Sequence, residues 1–546
     1  MQTKPVRQRL ATKPDDGARD QPHRLNTWID SAAKFSGWIL AGLVILAVIF
    51  VRVRLLGIPL ERDEGEYAYT GQLMLRGIPP YSLAANMKLP GTDAAYALIM
   101  AVFGQSAVGI HLGYLLVNAG AALLLYFLGR RLFDARAGLA AASAYALLSV
   151  GKSVLGTAAH ATNFVVLPAL GGILLLLRWA ESRRPFTLVW SGILFGVAFL
   201  MKQPGLFFAV FGGLYVLWTL RHDWRNRAAL ASAALFGFCV AAPYVVTCAI
   251  LWRLGVFASF WFWTVTYARQ YASLSSPSTG AQLLGSTLPP ILSSNPGIWI
   301  LAAAGLAVEW WRRTFLLTAL LGCSILAVSV GLFFRPHYFI LVLPAVALLA
   351  AAGVHAMRAR IGPAWAFWLC AAVFLWSVAQ QKEYLFDMDS SQAARAMYGL
   401  NPFPEAVRIG EYLATHSAPD SRVAILGSEP EILFYARRES ATRYIYTYGL
   451  MEPQPLALQM QNEMIADIET SRPEFVVFVN TSSSWLRTPQ SVAHIFDWWR
   501  SYAPNYEIQG VVDILDGETV YRWGQDARGY RARSSNFIVI GERKKV

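Results

Sequence analysis

The sequence predicts a polytopic α-helical membrane protein of about eleven transmembrane helices, followed by a C-terminal extracytoplasmic α/β domain. Three observations predict it. Apolar runs of about 18–20 residues, the length a helix needs to cross hydrocarbon, recur between residues 37 and 378. Lys and Arg collect in every second loop between those runs. Beyond Gln381 the chain turns polar, and short strand-like runs alternate with amphipathic ones.

Composition excludes the main alternatives. The chain has 546 residues, 55% hydrophobic and 15% charged, with 19 Trp and 30 Phe, which no single soluble core absorbs. The net charge of +13 lies largely in short loops, so it reads as a positive-inside bias rather than a nucleic-acid surface. Cys239, Cys248, Cys323 and Cys370 sit in apolar runs at spacings that fit no zinc site. None falls after residue 381, so the C-terminal domain is expected to fold without disulfides.

Taken in order, residues 1–34 are polar, basic-biased and rich in Pro, Gly, Asp and Gln, and read as a disordered cytoplasmic tail. Residues 37–51, "GWILAGLVILAVIFV", lack a small-residue cleavage site and read as an uncleaved anchor. With the basic tail inside, the loop 57–95 lies outside. The runs 107–128, 137–150, 164–177, 188–200, 206–220 and 228–251 then cross in alternation, as do 297–308, 315–334, 339–352 and 364–378. Each inner loop ("GRRLFDAR", "RWAESRR", "RHDWRNR", "EWWRRT", "MRARIG") carries at least two Lys or Arg, whereas the short outer turns carry Lys152, Lys202 and Arg335 singly. The aromatic outer stretch "FASFWFWTVTYARQYASLSSPSTG" reads as an interfacial belt or amphipathic helix, with a sugar platform as the other option.

Residues 35–380 thus form the membrane domain and 381–546 the α/β domain. "RVAIL", "EFVVFV" and "YEIQGVV" read as short buried strands, with "EAVRIGEYLATH" and "PLALQMQNEMIADIE" as helices between them. "LGSEPEILFY" has the look of a strand-to-helix turn. No catalytic triad, P-loop or dinucleotide fingerprint is present in this domain.

Ionisable residues near a bilayer are costly and mark function by default. Here they avoid the span centres and gather at the predicted outer ends: Asp63, Glu64, Glu66, Lys88, Lys152, His160, Lys202, Arg335 and His337. A carboxylate there can accept a proton from a hydroxyl nucleophile, while Lys, Arg and His can hold a phosphate leaving group. A phosphate at the interface joined to an apolar tail describes a polyprenyl-phosphate lipid. Plainer readings exist for each group: a helix-start carboxylate for Asp63 and Glu64, a snorkelling lysine for Lys88, structural imidazoles for His160 and His337. A transporter or flippase is the competing functional class, but it would place ionisable groups near the midplane. A non-catalytic envelope-assembly subunit is the third.

The segment "RDEGEYAY…MLRGIPPY…MKLPGTDAAY" resembles the first outer loop of GT-C glycosyltransferases. The likeness is to the bacterial glycosyltransferase family 39 group, with its protein mannosyltransferases and lipid A aminoarabinose transferases. The inner loop "GRRLF" at 129–133 is similar too, and the resemblance covers roughly 37–380. It implies transfer, with inversion, of a sugar from a polyprenyl-phosphate donor. The acceptor hydroxyl would belong to a lipid, a glycan (lipopolysaccharide or cell wall) or a protein, at the outer face of a bacterial inner membrane. By position it makes Asp63 the general base and Glu64 its partner. Lys88 in "MKLPG" and Lys202 in "MKQPG" become phosphate ligands. Glu66, His160, Arg335, His337 and Tyr338 become pocket residues, the last three in "RPHYFILVLP". Two departures stand out. The second outer loop reads "GTAAHATN" where relatives carry an acidic residue, so His160 and Asn163 take that place. Metal ligands are left unassigned, and a divalent cation is an open expectation. The Lys88 segment reads Lys-Leu-Pro rather than Lys-Pro-Pro.

Overall fold

The computed structural model describes residues 21–223, 226–311 and 315–545, with side chains from residue 36 onward. Residues 1–20 of the expected disordered tail lie outside the described residues. Its remainder belongs to the first helix, α1 (Gln21–Arg54).

Two helices, α2 (Arg62–Leu75) and α3 (Gly91–Phe103), separate α1 from the bundle proper. There follow α4 (Ala107–Leu132), α5 (Ala135–Val150), α6 (Ala161–Ser182), α7 (Pro185–Met201), α8 (Leu206–Thr219) and α9 (Arg227–Arg253). Helices Pro296–Trp311, Phe315–Ser329, Leu343–Ile361 and Pro363–Gln380 complete the set, so each apolar run seen in the sequence is helical. The chain is a multi-pass membrane protein. Among the described residues, six helices are long and apolar enough to cross a membrane singly. The pair Pro277–Ser294 and Pro296–Trp311, bent by 99°, would make a seventh, broken span. Helices α5 and α7 are shorter apolar rods, matching the short runs 137–150 and 188–200, so six or seven helices meet this length criterion where about eleven crossings were expected.

The centre of the bundle is α5, which buries nearly every side chain, and Leu343–Ile361, buried from Leu343 to Val354, and both are rich in Ala. Small residues let such helices approach closely where lipid supplies no hydrophobic drive. At one crossing, a Cβ on Gly305 would stand 1.8 Å from Leu349 O, and one on Gly353 would stand 2.2 Å from Leu301 O. The periphery shows the complementary pattern: Leu46, Phe238, Trp252 and Leu375 are more than half exposed, as lipid-facing residues are.

The C-terminal region folds around a six-stranded sheet of order β2-β1-β3-β6-β4-β5. The strands are β1 (Arg422–Leu426), β2 (Glu439–Ser440), β3 (Phe475–Asn480), β4 (Tyr506–Ile514), β5 (Thr519–Trp523) and β6 (Phe537–Arg543). β1 is parallel to both β2 and β3, whereas β6 runs antiparallel between β3 and β4. Val423 pairs with Phe475 and Val477 with Ile540, all buried, as expected for central strands covered on both faces. Helices Phe403–His416, Pro430–Ala436 and Ala457–Ser471 match the helical stretches anticipated from sequence, the first leading into β1 rather than joining two strands. Strands β2, β5 and β6 were not anticipated.

This domain grips α2 along its length. Leu60 N donates to Tyr435 OH at 2.9 Å, Gln72 Nε2 to Phe434 O at 3.2 Å, and Tyr69 OH accepts from Ser440 N at 2.8 Å. Arg62 pairs with Glu429 at 2.8 Å and also donates to Ser428 O. Gly65 lets the two backbones meet: a Cβ there would lie 2.5 Å from Glu431 N. The consequence is that α2 is held between the membrane bundle and the sheet domain.

Candidate active site

Helix α2 begins with a capping box. Glu61 accepts from Glu64 N at 3.0 Å, and Glu64 Oε2 accepts from Glu61 N at 3.2 Å. Once helical, residues three apart share a face, so Asp63 and Glu66 point together and Glu64 points elsewhere.

That separation corrects the expectation that Glu64 is a second catalytic carboxylate. Its Oε1 accepts from Ala159 N at 2.6 Å and lies 3.0 Å from His111 Nε2. Glu64 is buried and does not line the cavity beside Asp63. Burial opposes its charge, but His111 and the Ala159 amide outweigh burial and hold its pKa below the ordinary value. Glu64 fastens α2 to the bundle.

Asp63 is placed differently. Its Oδ1 accepts from Lys88 Nζ at 2.9 Å and from Tyr446 OH at 2.7 Å. Its Oδ2 faces His337, whose Nε2 lies 3.9 Å away. Burial works against ionisation of Asp63, yet the cations around it, Lys88 first, hold its pKa well below the carboxylate range. Burial pulls the pKa of His160 down to about 4 and that of His337 well below the ordinary value. Both imidazoles are therefore neutral near pH 7, and Lys88 is the group that keeps Asp63 charged.

Lys88 also binds Glu66, and its ammonium stands 4.5 Å from the Tyr67 ring centroid. The turn that carries it is braced: Lys88 N donates to Asn86 Oδ1 at 2.7 Å, and Tyr81 OH donates to Lys88 O at 2.7 Å. Burial pushes Glu66 up to about 7, against the pull of Lys88. Gln203 Nε2 donates to Met87 O at 2.7 Å and so ties this turn to "MKQPG". Lys202 ends α7 there, its ammonium 4.4 Å from the Tyr338 ring centroid. Burial pulls its pKa to about 7, with Asp63 opposing. Burial opposes the charge of Arg335, yet its pKa lies above the ordinary value beside Tyr271 and Tyr338, and the guanidinium stays protonated.

These groups line one cavity of about 450 Å³. Asp63, Glu66, Lys88, Lys202, Arg335, His337 and Tyr338 all reach it. His160 stacks on His337 with ring centroids 4.2 Å apart and so stands one layer behind. Of the residues singled out from sequence, seven therefore converge on one cavity, His160 backs it, Glu64 faces away, and Lys152 lines a separate cavity.

Two further walls complete the cavity: the aromatic stretch, read from sequence as a belt or amphipathic helix with a sugar platform as the other option, and a wall from the sheet domain that sequence did not suggest. The aromatic stretch forms continuous helical turns from Phe257 to Ala272, part of them π-helical, and presents Trp263, Tyr267 and Tyr271 to the cavity. The sheet domain supplies Tyr444, Tyr446, Tyr448 and Glu452. The alternating tyrosines of "RYIYTYGL" were a visible signal of a one-sided surface, but sequence offers nothing to say which cavity that surface meets.

Asp63, His160 and His337 each offer a ligand atom, and these atoms lie within 4.8 Å of one another. A carboxylate with two neutral imidazoles is a donor set for a divalent transition metal, leaving coordination positions open. His160 Nδ1 is buried, makes no hydrogen bond and lies 3.3 Å from Glu61 Oε1, so a cation there would also have the Glu61 carboxylate beside it. The residues fit a cation.

Residues 88–247 match the family model described as dolichyl-phosphate-mannose-protein mannosyltransferase. Over 217 residues the chain is 31% identical to an undecaprenyl phosphate-alpha-4-amino-4-deoxy-L-arabinose arabinosyl transferase of Pseudomonas aeruginosa. That match takes in 37% of this chain and only 38% of the length of the relative. The fold is similar to that of ArnT from Cupriavidus metallidurans bound to undecaprenyl phosphate: TM-score 0.59 at 16% identity, covering 92% of this chain and 98% of that one. It is also similar to the oligosaccharyltransferase AglB of Archaeoglobus fulgidus in complex with an inhibitory peptide and a dolichol-phosphate. There the TM-score is 0.51 at 14% identity, covering 90% of this chain and 74% of that one. The protein has the GT-C fold, and the resemblance read from its first outer loop is borne out at the level of architecture.

Proposed function

We propose that the protein is a membrane glycosyltransferase that moves a sugar from a polyprenyl-phosphate donor to an acceptor hydroxyl, with inversion. The observation that carries this reading is the cavity itself: an ionised carboxylate, paired with Lys88 at 2.9 Å, shares the lining of about 450 Å³ with Lys202 and Arg335. The three cations suit a phosphate, and the apolar side chains of Val265, Val330 and Phe333 beside them suit the first isoprene units. The relatives named above act on or bind polyprenyl phosphates, which supports the same donor here.

In the reaction, the acceptor oxygen attacks the anomeric carbon and the bond from that carbon to the phosphate oxygen breaks. The bonding pair leaves on the polyprenyl phosphate, where Lys88, Lys202 and Arg335 take up the developing charge. The hydroxyl proton goes to Asp63, whose Oδ2 is the oxygen not already occupied by Lys88 and Tyr446. A divalent cation held by Asp63, His160 and His337 would supply Lewis-acid activation of the acceptor hydroxyl. The positive-inside bias supports an N-terminus in the cytoplasm and the site on the outer face of a bacterial inner membrane. The acceptor is a lipid, glycan or protein of the envelope.

Purified protein in nanodiscs, given a polyprenyl-phosphate sugar and an envelope lipid extract, should release polyprenyl phosphate and yield an extended acceptor detectable by mass spectrometry. Transport of the donor across proteoliposomes without any glycosyl transfer would refute this reading.

A further inference from the structure

We propose that the C-terminal sheet domain is a working part of this transfer site, with residues 442–452 forming one wall and Tyr446 acting as a positioning residue for Asp63. The proposal rests on the glycosyl-transfer reading above and assigns a role to a domain whose sequence carries no catalytic motif.

The geometry points to it in three ways. Tyr446 OH and Lys88 Nζ both donate to Asp63 Oδ1, at 2.7 and 2.9 Å. Two donors converging on one oxygen fix the rotation of a carboxylate and leave its other oxygen to meet the acceptor. Lys88 comes from the same outer loop as Asp63, whereas Tyr446 comes from a chain position 383 residues away. The alignment of the base therefore depends on how the two domains are docked.

The tyrosine is itself held rigidly. Its neighbour Thr447 is fully buried, donates its backbone N–H to Ser428 Oγ at 2.9 Å and its hydroxyl to Ser484 O at 3.0 Å. On the membrane-domain side, Ala85 N donates to Arg443 O at 2.7 Å, and Tyr267 OH donates to Glu452 Oε2 at 2.6 Å. The wall is thus pinned at both ends to the loop carrying Lys88 and to the aromatic helix. A side chain supported in this way can orient a partner without paying a large entropy cost at each turnover.

Phenylalanine at 446 keeps the ring against Lys88 and removes one O–H, so the test is specific. In the purified full-length protein, Tyr446→Phe should lower kcat by about 10- to 100-fold with the donor KM changed less than about threefold. Tyr530→Phe, in the same domain but donating to Asp513, should keep the wild-type kcat. Asp63→Asn is measured alongside. Full transfer by Asp63→Asn would overturn the underlying reaction, whereas loss in Asp63→Asn with wild-type kcat in Tyr446→Phe would overturn the positioning role alone. If Tyr446→Phe melts well below the wild type, the pair Tyr446→Gln and Tyr446→Leu decides. Higher kcat with the donor-keeping Gln supports the proposal, and equal kcat overturns it.

Discussion

Lys88 Nζ rests 2.9 Å from Asp63 Oδ1, bridging 25 residues of sequence and joining the first turn of α2 to the turn that precedes α3. Both side chains are largely buried. An ion pair in that setting keeps a carboxylate charged where burial alone would neutralise it. It also places a cation beside the leaving phosphate and a base beside the nucleophile in one contact.

Asp63 and Glu64 are adjacent in sequence and should separate cleanly in experiment. Asp63→Asn should reduce transfer by at least about 100-fold while leaving the melting temperature near wild type. Glu64→Gln should do the reverse: it weakens the tether to Ala159 and His111, costing about 1–3 kcal/mol of stability, with kcat within a few-fold of wild type. Steady-state kinetics paired with thermal unfolding in detergent reads both.

Lys202 predicts a pH dependence of donor binding. With its pKa near 7, the free site loses this charge as pH rises through 7, whereas a bound phosphate favours the protonated form. Binding then takes up a proton above pH 7, so affinity for polyprenyl phosphate should fall with rising pH, by at most about tenfold per unit. Lys202→Arg, charged throughout, should flatten the profile. Binding isotherms between pH 6 and 9 measure it.

Gly65 predicts a docking defect. A methyl group there would fall 2.5 Å from Glu431 N, and both atoms belong to packed helices. Gly65→Ala should cost about 1–3 kcal/mol and lower the melting temperature. Gly42→Ala, which meets nothing within 4 Å, should leave it unchanged.

The Asp63–His160–His337 cluster predicts a metal requirement. Chelator-treated protein should lose transfer activity and regain it with a divalent transition metal, and elemental analysis should find about one bound ion per chain. His337→Ala should lose both the bound ion and the recovery.

The membrane domain was legible in the sequence because hydropathy and loop charge act locally. Each apolar run became a helix, and the outer turns delivered Lys88, Lys202 and Arg335 to one cavity. The error at Glu64 was of another kind. A dipeptide of carboxylates does not say which side faces inward until helix phase is known, and that phase is set here by the Glu61 cap. Tyr446 was hidden for a further reason: its partner is 383 residues away, and only the docking of the sheet domain onto α2 brings the two together. Strand β5 was overlooked because its short, partly polar run "TVYRW" resembles loop when read without its neighbours, whereas the "FIVI" of β6 was a visible strand signal.

The central claim is that Asp63 serves as the base of a lipid-linked sugar transfer. Mass spectrometry of envelope lipids and glycans tests it most directly, in a deletion strain complemented with either the wild-type chain or Asp63→Asn at matched membrane levels. The account predicts that a single sugar increment disappears on deletion, returns with the wild-type chain and stays absent with Asp63→Asn. An increment restored in full by Asp63→Asn would contradict it.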